Sequence, residues 1–184
     1  QSDHVIKNDS TSDIIKAYKT LMYGSNNNNF NNLYSMQPIN AEVQHFVDNI
    51  PNKYSVTDKA DGDKFVLFIH MGLMYLISNN LNVKLIKTTK GADEIDSTVI
   101  EGEYIYLEEK QKYLFMTYDC LYYDGKDLRN EVSLQKRQES MVKALNVIFP
   151  KNKYYKIKDY DKDFNINKIK SHYQKEIEMF FDSL

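Results

Sequence analysis

Tyr54-Ser-Val-Thr-Asp-Lys59-Ala-Asp-Gly-Asp-Lys64-Phe-Val-Leu-Phe-Ile-His70 is the stretch whose reading decides the fold. Two β-patterned runs flank Lys59-Ala60-Asp61-Gly62, which presents a lone lysine at a turn between strands. Gly62 lets the backbone fold tightly and approach a ligand closely, while the strands on either side hold the lysine in place. Residues 65–69 are apolar at every position, the mark of a strand buried on both faces, so Lys59 is expected at the edge of a dry core. An amine attacks only when neutral, and an unperturbed lysine with a pKa of about 10.4 supplies little of that form near pH 7. Burial or neighbouring cations must then lower its pKa. On this reading Lys59 is a candidate covalent nucleophile; the plainer alternative is a hairpin carrying an exposed lysine.

Downstream, turn signals and β-rich runs predict an antiparallel meander. Met71-Gly72 leads into Met74-Tyr75-Leu76-Ile77, and Asn79-Asn80 into Val83-Lys84-Leu85-Ile86. His70 belongs to this sheet and reads as structural. Residues 91–97 read as a polar loop, and residues 98–107 and 112–123 as two long strands around the charged tip Glu108-Glu109-Lys110. Cys120, in an apolar run, reads as a small buried residue. Beyond the Asp124-Gly125 turn, Arg129 is a candidate for contacting phosphate. Residues 133–149 fit an amphipathic helix that buries Leu134, Met141, Leu145 and Ile148 and turns Lys136, Arg137 and Lys143 to solvent. A short strand at 154–157 and a closing helix at 166–181 complete the pattern.

Upstream, Pro51 ends a helix capped by Asn40, with Val43, Phe46, Val47 and Ile50 on one stripe and His45 beside it in a structural role. Gln37-Pro38 breaks the chain before it. The tract Ser25-Asn-Asn-Asn-Asn-Phe-Asn-Asn32 is of low complexity and reads as a loop or linker. Ser12 is expected to cap a first helix whose stripe of Ile14, Tyr18, Leu21 and Met22 packs on the main domain, and Gly24 ends it. The predicted class is α+β, with residues 1–35 as an N-terminal helix and Asn-rich linker and residues 36–184 as the sheet-bearing domain.

At 184 residues the chain can bury one substantial core. A formal charge of −2 carries no global footprint for nucleic acid, so any basic groove must be local. One cysteine excludes an internal disulfide, and four scattered histidines offer no zinc spacing. No apolar run reaches the roughly 18 residues of a membrane span, and the polar start is unlike a signal peptide. The expectation is a soluble cytoplasmic protein with no membrane contact.

Lys59-Ala-Asp-Gly-Asp-Lys64 resembles the first motif, Lys-x-Asp-Gly-x-Arg, of the covalent nucleotidyltransferases: mRNA capping guanylyltransferases and ATP-dependent DNA and RNA ligases. Two further stretches match in order. Glu101-Gly-Glu-Tyr-Ile105 resembles the third motif, usually Asp-Gly-Glu followed by apolar residues. Tyr118-Asp-Cys-Leu-Tyr-Tyr-Asp-Gly125 resembles the next, an aromatic-Asp pair that closes a buried strand ahead of a turn. The Gln37-Pro38 lead-in, the approach to Lys59 and the Asn-rich linker make the chain most similar to capping enzymes of large DNA viruses. Its skew toward Asn, Lys, Ile and Tyr, with three Pro and no Trp, fits AT-rich coding.

The resemblance implies an antiparallel-sheet nucleotidyltransferase (adenylation/guanylylation-domain) fold. It also implies GTP as substrate, a divalent metal such as Mg2+ or Mn2+ on the phosphates, and an RNA 5′ end as acceptor. Lys59 would form a lysine–GMP intermediate, and Glu103 would accept hydrogen bonds from the ribose hydroxyls. Tyr118 would stack on the purine, and Asp119 would anchor a turn or a nearby cation. Asp61, Gly62 and Lys64 would complete the nucleotide site; Lys64 keeps the charge of the family's arginine but loses its bidentate fork. The family pattern continues with a metal-side carboxylate strand, a Lys-x-Lys strand and an OB-fold domain. The chain therefore reads as the first two thirds of the domain, truncated before its last motifs and inactive alone. Triphosphatase, OB-fold and methyltransferase domains are expected in the parent, in a viral factory or virion if viral. An adenylate-taking ligase and a non-catalytic interaction piece are the rival readings.

Overall fold

The apolar run after Lys64 forms a central strand, β1 (Asp63–His70), of a six-stranded antiparallel sheet. The others are β2 (Leu73–Ser78), β3 (Val83–Ile86), β4 (Thr98–Leu107), β5 (Lys112–Tyr123) and β6 (Lys126–Asp127), in the order β3-β2-β1-β4-β5-β6. Two helices accompany them, α1 (Asn8–Tyr23) and α2 (Leu134–Ile148). The computed structural model describes residues 8–25, 29–35, 62–86 and 90–150. Lys59, Asp61, the strand before Lys59, the helix expected at 40–50 and the two elements expected beyond residue 153 lie outside the described residues. The chain divides into two compact units, Gln1–Ser35 with Asp61–Tyr155 and Met36–Ala60 with Lys156–Leu184; the described residues all belong to the first.

Strand alternation sends successive side chains to opposite faces, and each face of this sheet has its own helix. Val66 and Phe68 of β1 join Tyr75, Ile77 and Val99 against Ile14, Tyr18 and Met22 of α1. Leu67 and Ile69 join Met74, Leu76 and Ile100 against Met141, Ala144, Leu145 and Ile148 of α2. Each such side chain taken fully out of water contributes about 1.5–3 kcal/mol, which is why a strand apolar at every position belongs between two layers.

Local rules set the register. Met71 and Gly72, at φ 49° and 77°, take the paired positive-φ turn that matches strand twist, and Asp124 and Gly125 do the same at 48° and 78°. The second turn returns the chain as the short β6, which the sequence pattern does not reveal. Ser133 caps α2 by accepting the Lys136 N–H, and the Gly24 N–H closes α1 on the Thr20 carbonyl.

Three expectations are corrected. Helix α1 starts at Asn8 rather than after a Ser12 cap: Ser12 is itself helical, and the Asn, Asp, Ser and Thr of residues 8–12 each cost a helix only roughly a few tenths of a kcal/mol. Residues 91–97 are not simply a polar loop: a 3-10 turn over Lys90–Asp93 leads into them, and Ala92 and Ile95 enter the core beside α2. Arg137, expected in solvent, is 8% exposed. It lies three residues after Leu134 and four before Met141, on the stripe that packs inward.

Gly102 of β4 is the tightest point of this architecture near the motif residues. A Cβ there would sit 2.6 Å from the Met116 carbonyl oxygen and 2.6 Å from the Phe115 ring. We predict that Gly102→Ala lowers unfolding free energy by about 1–3 kcal/mol, the cost of overpacking. Urea melts would show this as a lower midpoint at unchanged slope; an unchanged midpoint would contradict the close strand approach.

Candidate functional site

The antiparallel register of β4 places the motif residues together. Lys64 of β1 pairs with Glu103, Val66 with Glu101, and Gly102 lies opposite Phe65. By alternation Lys64, Glu101 and Glu103 share the face that carries α1. The Lys64 ammonium lies 3.2 Å from a carboxylate oxygen of Glu101 and donates at 2.9 Å to the Tyr34 carbonyl. The Tyr34 N–H in turn donates to the hydroxyl of fully buried Tyr18. Lys64 is thus fixed by a strand, a carboxylate and the segment that follows α1.

Glu101 is 8% exposed. Burial raises its carboxyl pKa above the ordinary range; the Lys64 ammonium opposes the rise, and Asp119 adds to it. The raised value means the protonated form gains from folding. Its stabilising contribution is complete below the unfolded glutamate pKa of about 4.3 and is lost as pH climbs through the higher folded value.

Tyr118 enters from the other neighbour of β4. On β5, Asp119 lies opposite Glu101 and Thr117 opposite Gly102, so Tyr118 is an extra residue at a β-bulge. Bulges bend a strand and re-aim a side chain. Tyr118 remains 39% exposed, and its phenol is pushed above the usual tyrosine value by burial first, then by the charges of Glu101, Glu103 and Asp119. The neutral, hydrogen-donating phenol is the form present at physiological pH, beside two carboxylates on the adjoining strand.

Asp119, opposite Glu101 in the register, is reached by α2. Its carboxylate receives the Arg137 guanidinium at 2.9 and 3.2 Å and the Cys120 N–H at 2.7 Å. The Gln138 amide, one residue along α2, donates at 3.0 Å to the Tyr118 carbonyl. Sequence reasoning missed both helix residues, although their spacing from Leu134 and Met141 marks an inward face. Gly62 opens the described stretch ahead of β1, where a Cβ would meet the Tyr104 carbonyl oxygen at 2.9 Å. Cys120 is fully buried and its thiol pKa is pushed up to about 12, a core residue rather than a reactive one. Arg129 is held structurally: its guanidinium donates to both oxygens of Asp127, to the Met22 carbonyl and to the Tyr122 hydroxyl.

The family model for the mRNA capping enzyme catalytic domain matches residues 2–181. The chain belongs to the capping-enzyme catalytic-domain family. It is similar to a probable mRNA-capping enzyme of Acanthamoeba polyphaga mimivirus, at 32% identity over 174 residues, 91% of this chain. The chain spans 14% of that protein's length. In this capping-enzyme domain the described residues contain no cluster of three or more His, Cys, Asp or Glu arranged to hold a metal ion. None of its described helices is long and apolar enough to cross a membrane.

The Glu101 carboxyl is testable by linkage. We predict that the stability of the native sequence relative to Glu101→Gln falls as pH rises from about 4 toward 7, the window opened by a glutamate pKa raised on folding. Urea midpoints across that range measure it. A relative stability that rises with pH would show that the Lys64 pairing, not burial, dominates.

Proposed function

We propose that this chain is the guanylyltransferase portion of an mRNA capping enzyme, built on the nucleotidyltransferase fold, with Lys59 as nucleophile. In the first step the Lys59 amine attacks the α-phosphorus of GTP. A P–N bond forms, the bond to the β-phosphate oxygen breaks, and pyrophosphate departs. In the second, a terminal phosphate oxygen of a 5′-diphosphate RNA attacks the same phosphorus. The P–N bond breaks, GMP passes to the RNA and the amine is restored.

The observation that carries this reading is the juxtaposition, in a member of the capping family, of Lys64 and Glu103 as cross-strand partners next to the bulged Tyr118. Glu103 has the acceptor-only chemistry that ribose hydroxyls require, and the Tyr118 ring is a half-open aromatic face suited to a purine. Asp61 and Gly62 belong to the backbone approach to the phosphates, Lys64 to the sugar and RNA-end side, and Asp119 to the support beneath Tyr118. Glu101, by holding Lys64, keeps that ammonium aimed along the site face. Mg2+ or Mn2+ would neutralise phosphate charge; the described residues form no cage of three or more His, Cys, Asp or Glu for it. The relative's small matched fraction fits a parent with further capping domains, such as triphosphatase, OB-fold and methyltransferase. Residues 1–35 would then be the helix and linker leading into the domain, and the cytoplasm or a viral factory its place of action.

The test uses the full-length protein with radiolabelled GTP or ATP. An acid-labile protein–nucleotide adduct is expected from GTP and not from ATP, and Lys59→Ala should reduce it by at least about 1,000-fold, the scale of losing a covalent nucleophile. An adduct from ATP would move the chain to the ligases, and one that survives Lys59→Ala would remove Lys59 from the chemistry.

A further inference from the structure

We propose that Gln138 and Arg137 of α2 are positioning residues for the nucleotide base, fixing the bulge that presents Tyr118. The inference rests on the reading of Tyr118 as the purine-stacking residue.

A bulge leaves its extra residue outside the regular ladder, so the Tyr118 backbone lacks the strand pairing that orients its neighbours. An unsatisfied carbonyl in a half-buried place is costly, and a residue held only by its ring would sample several orientations. Gln138 supplies the missing donor at 3.0 Å from the Tyr118 carbonyl oxygen. Arg137 clamps the next residue with two hydrogen bonds to the Asp119 carboxylate, and its guanidinium also donates to the Glu131 carbonyl. The Asp119 carboxylate closes the unit by accepting the Cys120 N–H at 2.7 Å.

All of these side chains are buried while Tyr118 is 39% exposed. The backbone is therefore the fixed part and the ring the presented one. The clamp comes from a rigid element: α2 is capped by Ser133, whose own N–H is received by Glu131, and it is anchored by Met141, Ala144, Leu145 and Ile148 in the core. A ring held in its binding orientation before the base arrives spares the cost of ordering it on binding.

Arg137 is a poor probe, because removing one partner of a buried ion pair threatens the fold itself. Gln138→Met keeps the volume and removes the donor. Gln138→Leu is the second variant, since it too has no donor to offer the Tyr118 carbonyl. The assay is adduct formation by the full-length protein with GTP and with ribose 5′-triphosphate, which has no base to stack. Either Gln138 variant should raise the KM for GTP about 3- to 10-fold, the scale of one net hydrogen bond, with kcat at saturation within about twofold. The KM for ribose triphosphate should not move. Tyr118→Leu should raise the GTP KM as well, and adding Gln138→Met to it should cause no further loss.

A rise for Tyr118→Leu without one for either Gln138 variant would overturn the positioning role and leave the stacking reading intact. So would two losses that multiply, or equal losses on both substrates. No rise for Tyr118→Leu would overturn the stacking reading and this inference together.

Discussion

The described part of this domain depends on the antiparallel pairing of β4 with two partners at once. Pairing with β1 sets Lys64 against Glu103 and lets the Lys64 ammonium reach Glu101; pairing with β5 sets Asp119 against Glu101 and expels Tyr118 into a bulge. A one-residue slip on either side would send these side chains to the wrong face. The apolar residues beside them resist such a slip, since Val66 and Leu67 serve different cores. Burial thus fixes the register, and the register composes the site.

The two faces divide the work. On the α1 side the Tyr18 hydroxyl and the Tyr34 backbone hold Lys64, so the helix and the segment after it are part of the site's support rather than an appendage. Arg129 reinforces this side by joining Asp127 to the end of α1 at the Met22 carbonyl, with the Tyr34 ring 4.8 Å from its guanidinium carbon. On the α2 side the Arg137–Asp119 pair and the Gln138 amide brace the strand that carries Tyr118. Glu103 and Tyr118 thus sit on adjoining strands, one paired on both sides and the other braced by α2.

Much of the fold was legible in the sequence. The two long strands, the charged tip between them and the Met71-Gly72 and Asp124-Gly125 turns are set by local rules of alternation and positive φ, and they occur where those rules place them. The site was legible only as motif residues. Which of them touch depends on register and on a bulge, and nothing local in Tyr118-Asp119-Cys120 announces an extra residue. Arg137 was misread because its charge outweighed its spacing, whereas burial with an ion partner reverses that preference. Tyr34 was invisible for another reason: it acts through its backbone, to which sequence patterns are blind.

The central claim is that the face built from β1, β4 and the β5 bulge receives the guanosine of GTP. A crystal structure of the full-length protein with GTP tests it most directly. The account predicts the guanine ring stacked on Tyr118 and the ribose hydroxyls within hydrogen-bond reach of Glu103, roughly 3 Å. Guanosine density elsewhere on the protein, with Tyr118 and Glu103 facing only solvent or protein, would contradict it.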